Sequence, residues 1–430
     1  MGADVAAGGA GMQAGATGRG EEDPGRMGTG SAARPGEMWG WANWRAWESG
    51  LPTFGAVEYT LYTDANVSRE ATEGLGPYQL LDTLALPQFL HNEGAAPAVV
   101  LRADLYLDPT ASHEGRTRNV DAYHGGEAVD ELASLVSLAL GVRLEAGGQI
   151  RTFPVDGDPR GRPFWYDYQP PHLARASIVT TGGRRQLPGV AHSIQLDDCV
   201  PWLQRYFRLE QGQANALVRA ARSYQAALWA AEGDPRQAWL KLISAVEAAA
   251  HYWARGDALP VEQLRAAKPE LSERLEAAGG GLLEDVAKQF APGLQATTKM
   301  LNFTLKFRPS APEPRPASYA LAWSKTKMRG YLDTIYGARS EDLHAGIAVP
   351  LPMCEAPQKV SAKHPDEKLE GPFTESERPS GEWTATATSI WQREDTPMLL
   401  HTFEYIVRGA LQKWWESMDS TTGQAHVNKG

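Results

Sequence analysis

The feature that most constrains this chain is a change in the spacing of its apolar residues near residue 200. Beyond that point they recur at helical intervals. "EQGQANALVRAARSYQAALWAAEG" reads as one amphipathic helix ended at Gly233. "DPRQAWLKLISAVEAAAHYWARG" reads as the next, with Asp234 as N-cap and Pro235 at the first helical position. Its core face is Trp239, Leu242, Ile243, Val246, Ala250 and Trp253. Helical signals continue through "LSERLEAAGGGLLEDVAKQF" to "LQATTKMLNFTLKF", and resume near Leu321 after a Pro-rich loop. Residues 348–395, rich in Pro, Glu and Lys, read as a long loop. The last helix, "PMLLHTFEYIVRGALQKWWESM", is expected to pack through Leu399, Phe403, Ile406, Ala410 and Trp414.

Residues 55–200 instead mix strand and helix signals. "AVEYTLYTDA", "AVVLRADLYL" and "RASIVTTG" are β-rich with partial alternation. "EAVDELASLVSLALGVRLEAGG" reads as a helix with Leu132, Leu135, Leu138 and Leu140 near one face, ended by Gly147 and Gly148. Residues 155–164 form a turn-rich loop. The expected class is α+β, with an N-terminal mixed α/β domain over 38–200 and an all-α bundle over 201–418. Residues 1–37, dominated by Gly and Ala, are expected to be disordered, and the true start to lie at Met27 or Met38. The tail 419–430 is polar and expected to be disordered too. "MWGWANWRAW", residues 38–47, carries four tryptophans, read as aromatic plugs on a domain edge or as a stacking platform for bases.

Composition narrows the function classes. A formal charge of -10 argues against binding nucleic acid through the whole surface, so any such contact needs a local basic patch. Cys199 and Cys354 are too few for a disulfide framework or a zinc site and suit a reducing cytoplasm. No apolar run is long enough to span a bilayer, and the N-terminus lacks the pattern of a secretory signal. No phosphate-binding G-x-x-x-x-G-K-[ST] loop, H-E-x-x-H or G-x-S-x-G motif occurs. His401 and Glu404 have a spacing that can share a metal, but partner carboxylates are missing, so no metal or cofactor is expected.

One segment stands apart, "IYGARSEDLHAGI", residues 335–347. Ile335, Tyr336 and Leu343 resemble an apolar helical stripe, and Arg339 falls on it, seven residues after Leu332 and four before Leu343. Such an arginine can snorkel outward, pair with a buried carboxylate, or line a cleft that holds an anion. His344 lies in the final turn before Gly346, and histidine is the side chain suited to moving protons near neutral pH. Residues five apart on a straight helix diverge by about 140°. Arg339 and His344 therefore converge only if the helix ends or bends between them, or if two chains each contribute a copy.

"YGARSEDLHAG" resembles the R-x4-6-H motif of HEPN domains, in particular the Y-x-x-R-S-x-x-x-H-G form of the ApeA-like group. "ARSYQAALWAAEGDPRQAWLKLISAVEAAA" is similar to that group's first two helices, including an A-x-E-A stretch around Glu247. The resemblance spans roughly residues 205–416, and "H-A-G" replaces the more usual "H-G-G". It implies a helical bundle that dimerises and cleaves RNA without metal, leaving a 2′,3′-cyclic phosphate. Arg339 would hold the scissile phosphate and His344 would serve as general acid or base, with Ser340, Glu247 and Tyr336 in support. Seven basic residues between Lys299 and Arg329, against the single acid Glu313, suggest an RNA-tracking rim that includes Lys325, Lys327 and Arg329. The expected partners are RNA and a second copy of the chain. The expected role is in phage defence or stress response, with the N-terminal domain sensing a trigger or binding a regulatory partner. The alternatives are a non-catalytic HEPN scaffold for dimerisation or RNA binding, and a ligand-binding N-terminal domain that the helical half oligomerises.

Overall fold

The computed structural model describes residues 33, 36–82, 95–108, 127–153, 165–166, 184–190, 193–255, 259–290, 296–363, 371–380, 383–386 and 389–419. The glycine-rich start up to residue 32, the tail after 419, the expected strand "RASIVTTG" and the turn-rich loop 155–164 lie outside them.

The N-terminal half is a helix, a sheet and a second helix. Helix α1 (Trp39–Glu48) precedes strands β1 (Gly55–Thr63), β2 (Asn66–Ser68), β3 (Tyr78–Asp82) and β4 (Ala96–Leu105). Helix α2 (Ala128–Leu140) leads into β5 (Glu145–Phe153) and β6 (Trp165–Tyr166). Five strands form one antiparallel sheet in the order β3-β4-β1-β5-β6, so the first long strand is central and its neighbours come from later in the chain. Strand β2 pairs instead, in parallel, with β7 (Ser193–Gln195).

The second helix ends earlier than its sequence pattern suggests. Gly141 adopts φ 68°, the left-handed conformation that closes a helix, and its N–H bonds back to the Ser137 carbonyl. Gly147, expected as the terminator, lies inside β5. A Cβ there would stand 2.6 Å from a ring carbon of Tyr62, so glycine admits the crossing aromatic ring.

Helix α2 carries a fully buried carboxylate, Glu131. It accepts hydrogen bonds from the Gly40 and Trp41 amides at 2.9 and 3.0 Å and from the Tyr206 hydroxyl. It thus caps α1 from a distance and ties α1 to the next helix along, α3 (Val200–Arg208). Burial pushes the Glu131 carboxyl up to about 7, although all three bonds oppose that shift. Between about pH 4.5 and 7 the folded chain therefore holds a proton that the unfolded chain has lost. Stability falls as pH rises through that window, by up to about 3 kcal/mol from this group. Glu131→Gln, which cannot ionise and keeps one acceptor oxygen, is expected to flatten that slope in urea unfolding measured from pH 5 to 8.

The tryptophan-rich segment is α1, and most of its rings pack inward. Trp41 is buried and donates to the Leu209 carbonyl at 3.1 Å, while Trp44 stacks on Phe207 with ring centroids 5.3 Å apart. Packing, not a platform for bases, accounts for them.

The C-terminal half contains α4 (Gln211–Ala230), α5 (Pro235–Trp253), α6 (Pro260–Ala267), α7 (Pro269–Ala278), α8 (Leu282–Phe290), α9 (Ala296–Phe307), α10 (Lys325–Ala345) and α11 (Leu400–Asp419). Asp234 caps α5 as expected, accepting from the Gln237 amide. Helix α5 is central, packed against α4, α9, α10 and α11. Trp239 stacks on Phe403 of α11 with centroids 4.7 Å apart. Helices α6 and α8 share a small satellite core of Leu264, Leu283 and Ala287. The main core runs without a break from Met38 to Met418, so the two halves pack as one body.

Residues 348–395 hold more structure than a loop. Two antiparallel pairs form there, β8 (Lys359–Ser361) with β9 (Phe373–Glu375) and β10 (Trp383–Thr386) with β11 (Ser389–Trp391). The helical half is therefore not wholly helical. Buried groups fix the segment in place. Trp239 donates to the Met353 carbonyl at 3.2 Å, and Glu377 accepts from Arg315 and the Leu321 amide at 2.7 and 2.5 Å. Such anchors join residues far apart in sequence, so local composition does not reveal them.

Candidate functional site

Helix α10 begins later than expected, at Lys325, because Ser324 caps it through the Lys327 amide. It ends as expected at Gly346, which adopts φ 68° and bonds back to the Asp342 carbonyl, while the Ile347 amide bonds to that of Glu341. Its inward face starts apolar, with Met328, Leu332, Ile335 and Tyr336 buried. The last two turns of that face are ionic.

Arg339 pairs with a carboxylate, one of the three options open to an arginine on this face. Its Nη2 donates to Glu247 Oε2 at 2.9 Å, and its guanidinium lies 5.4 Å from the centre of the Tyr336 ring. The Tyr336 hydroxyl donates to the other Glu247 oxygen, also at 2.9 Å. Glu247 sits on the flank of the apolar face of α5, where a carboxylate meets α10 without entering the core. Burial first, and the Glu247 charge second, push the Tyr336 phenol up, which keeps it a neutral donor. Arg339 and Glu247 each retain about a fifth of their side-chain exposure, at 21% and 22%. The other guanidinium N–H groups of Arg339 make no hydrogen bond to a described residue.

A second ion pair on the same face was not apparent in the sequence. Arg236, in the first turn of α5, grips the buried Asp342 through two hydrogen bonds of 2.5 and 2.7 Å. The Arg236 hydrogen bond holds the Asp342 carboxyl below the usual carboxylate range. Asp342 follows Arg339 by three residues and so shares its face. That spacing was the available signal, but the partner Arg236 lies over a hundred residues upstream.

His344 points elsewhere. Helix α10 is unbroken from Lys325 to Ala345, so Arg339 and His344 diverge by about 140° as on any straight helix. His344 is exposed, and its side chain makes no hydrogen bond to a described residue. Leu343, expected on the apolar stripe, is 52% exposed, because the inward position in that turn belongs to Asp342. Ile347 and Leu351, beyond the end of the helix, are exposed at 56% and 53%. Ser340 is half-buried between these two directions.

The structure thus brings together Arg339, Glu247 and Tyr336, and leaves His344 apart from them within one chain. The basic residues Lys325, Lys327 and Arg329 are exposed but lie at the opposite end of α10. At 1.5 Å per residue, Arg329 is about 15 Å from Arg339 along the axis and Lys325 about 21 Å. Arg315, counted with them, is committed to Glu377 and faces inward.

His401 and Glu404 do not share a site. His401 Nε2 lies 2.7 Å from the Ser376 carbonyl, while Glu404 accepts from Tyr224 at 2.6 Å and pairs with Arg408. Among the described residues no group of three or more His, Cys, Asp or Glu side chains is placed to hold a metal ion. Both cysteines are unpaired, and burial pushes each thiol up to about 12. No described helix is long and apolar enough to cross a membrane.

No known family model, curated protein or solved structure matches the chain.

Proposed function

We propose that the chain is a metal-independent endoribonuclease of HEPN type whose site is completed by a second copy, Arg339 of one meeting His344 of the other. The observation that carries this reading is the pairing in α10 of a preset arginine and an outward histidine. Arg339 is held by Glu247 and Tyr336 with donors to spare, while His344 stands on the surface, next in sequence to the exposed Leu343. Exposed Leu343, Ile347 and Leu351 supply apolar area for a two-fold contact at the helix end.

In this site the RNA supplies its own nucleophile. His344 accepts the 2′-hydroxyl proton, the 2′-oxygen bonds to phosphorus, and the bond to the 5′-oxygen breaks. That oxygen leaves with a proton returned by an imidazolium or by water, so the products are a 2′,3′-cyclic phosphate and a 5′-hydroxyl. Arg339 stabilises the charge that grows on the phosphoryl oxygens. The test is cleavage of a labelled RNA in the presence of EDTA, with end-group analysis of the products.

Glu247 acts through Arg339 as a positioning residue. Glu247→Ala is expected to lower cleavage about 10- to 100-fold, since small misplacements of a clamp are costly. Glu247→Gln keeps one acceptor oxygen for Arg339 and offers its amide N–H to the Tyr336 hydroxyl oxygen, and should recover most of the loss at an unchanged melting temperature. A purely structural role would make the cleavage loss track the melting temperature in both variants.

A further inference from the structure

A cleft lies away from Arg339, where four helix ends meet. It has a volume of about 590 Å³, within the range of small-ligand sites. Its floor is apolar, formed by Phe307, Trp414 and Met418, all buried. Its walls are Tyr252 and Trp253, half-buried at the end of α5.

Two exposed cations stand at its rim. Arg255 lies 5.0 Å from the centre of the Tyr252 ring, and Lys306 lies 5.0 Å from Trp253 and 5.3 Å from Phe307. Neither makes an ion pair with a described carboxylate. The carboxylate whose charge acts on Tyr252 is Glu210, and it is engaged in capping α4 through the residue 213 amide. His251, one turn before Arg255, has its ring pushed down, first by burial and then by the charges of Arg255, Lys299 and Arg219. Positive potential therefore persists along this side of α5 in a chain whose formal charge is -10.

Gly212, at the start of α4, keeps the mouth open. A Cβ at that position would stand 3.2 Å from the Tyr252 hydroxyl.

We propose that this cleft is a nucleotide-binding site that takes one aromatic base against its aromatic walls and a phosphate on Arg255 and Lys306. An apolar floor alone would suit any hydrophobic ligand. Two cations without a described carboxylate partner, resting on aromatic faces, select a ligand that is both flat and anionic. The nucleotide has two possible sources, a free mononucleotide or one unit of an RNA strand. The second source rests on the endoribonuclease reading. Glu247, the partner of Arg339, precedes Arg255 on α5 by eight residues, about 12 Å of helix, which a short single strand spans.

Equilibrium dialysis of the full chain against AMP, UMP and a 2′-O-methyl hexanucleotide tests this, because a strand with blocked 2′-oxygens binds without being cut. Saturable binding of the mononucleotides or of the hexanucleotide is expected. The Arg255→Gln/Lys306→Gln double variant, altered only at exposed positions, should weaken it at least tenfold and reduce its salt dependence. Gly212→Leu, at a helical position with no positive φ, should block it by filling the mouth. Arg339→Ala should leave mononucleotide binding unchanged, which separates this site from the catalytic reading. Binding of AMP or UMP identifies a free nucleotide as a ligand, and binding of the hexanucleotide alone identifies a strand subsite. Absence of saturation by every probe, or wild-type affinity in both cleft variants, overturns the proposal.

Discussion

Arg339→Ala and His344→Ala are each expected to lower RNA cleavage by about 10²- to 10⁴-fold. The two losses have different structural costs. His344 is exposed and makes no side-chain hydrogen bond to a described residue, so its removal should leave the melting temperature unchanged. Arg339 is paired, but Glu247 keeps the Tyr336 hydroxyl and about a fifth of its exposure, so Arg339→Ala should cost only about 1 kcal/mol. Arg339→Lys retains the charge and loses the fork. One ammonium serves Glu247 and a phosphate together less well, and this variant should recover little activity. Cleavage rates set beside urea unfolding for the three variants separate chemistry from stability.

Arg143→Ala should be the most destabilising single substitution in the N-terminal half, by about 3–5 kcal/mol. Arg143 has no exposed side-chain surface, and three of its nitrogens are engaged. Nε donates to the Leu228 carbonyl at 2.7 Å, Nη1 to Asp64 at 2.8 Å and Nη2 to Glu232 at 2.9 Å. Asp64 and Glu232 are each only 3% exposed, so the substitution strands two buried carboxylates. Glu232 also accepts from the Gln186 and Leu187 amides, and Asp64 also pairs with Arg185. The cluster thus joins the end of β1, the turn after α2, the segment at 185–187 and the end of α4. Arg185→Ala, at a side chain 30% exposed, should cost far less, because Asp64 keeps Arg143. Urea unfolding of both variants at pH 7 checks the contrast.

Periodicity made the long helices legible. The apolar stripe of α5 and its Asp234–Pro235 start lie in one stretch of sequence, as do the stripe of α11 and the Gly346 stop of α10. The end of α2 is not legible in the sequence, because Gly141 and Gly147 look alike there. One takes a positive φ and the other makes room for Tyr62, and only the strand pairing distinguishes them. The hairpins within 348–395 were hidden because their anchors, Trp239 and Arg315, come from elsewhere in the chain.

The candidate site was legible in part. A carboxylate partner is one of three options for Arg339 on an apolar stripe, and the half-buried Glu247 fills it. The Arg236–Asp342 pair and the cleft between Tyr252 and Trp414 were not, since each joins helices distant in sequence. The unbroken course of α10 removes a bend as a way to bring Arg339 and His344 together within one chain, so the proposed site needs a second copy.

Mixing two inactive variants tests that conclusion most directly. Arg339→Ala and His344→Ala chains are combined in equal amounts, left to exchange, and assayed on labelled RNA with EDTA present. Random pairing makes half of the dimers mixed, each with one intact Arg339–His344 site of two, so about a quarter of wild-type cleavage should return. Each variant alone should stay inactive, and the product ends should be 2′,3′-cyclic phosphates. Equal cleavage by wild type and both single variants, or a mixture as inactive as its components after exchange is shown, would contradict the account.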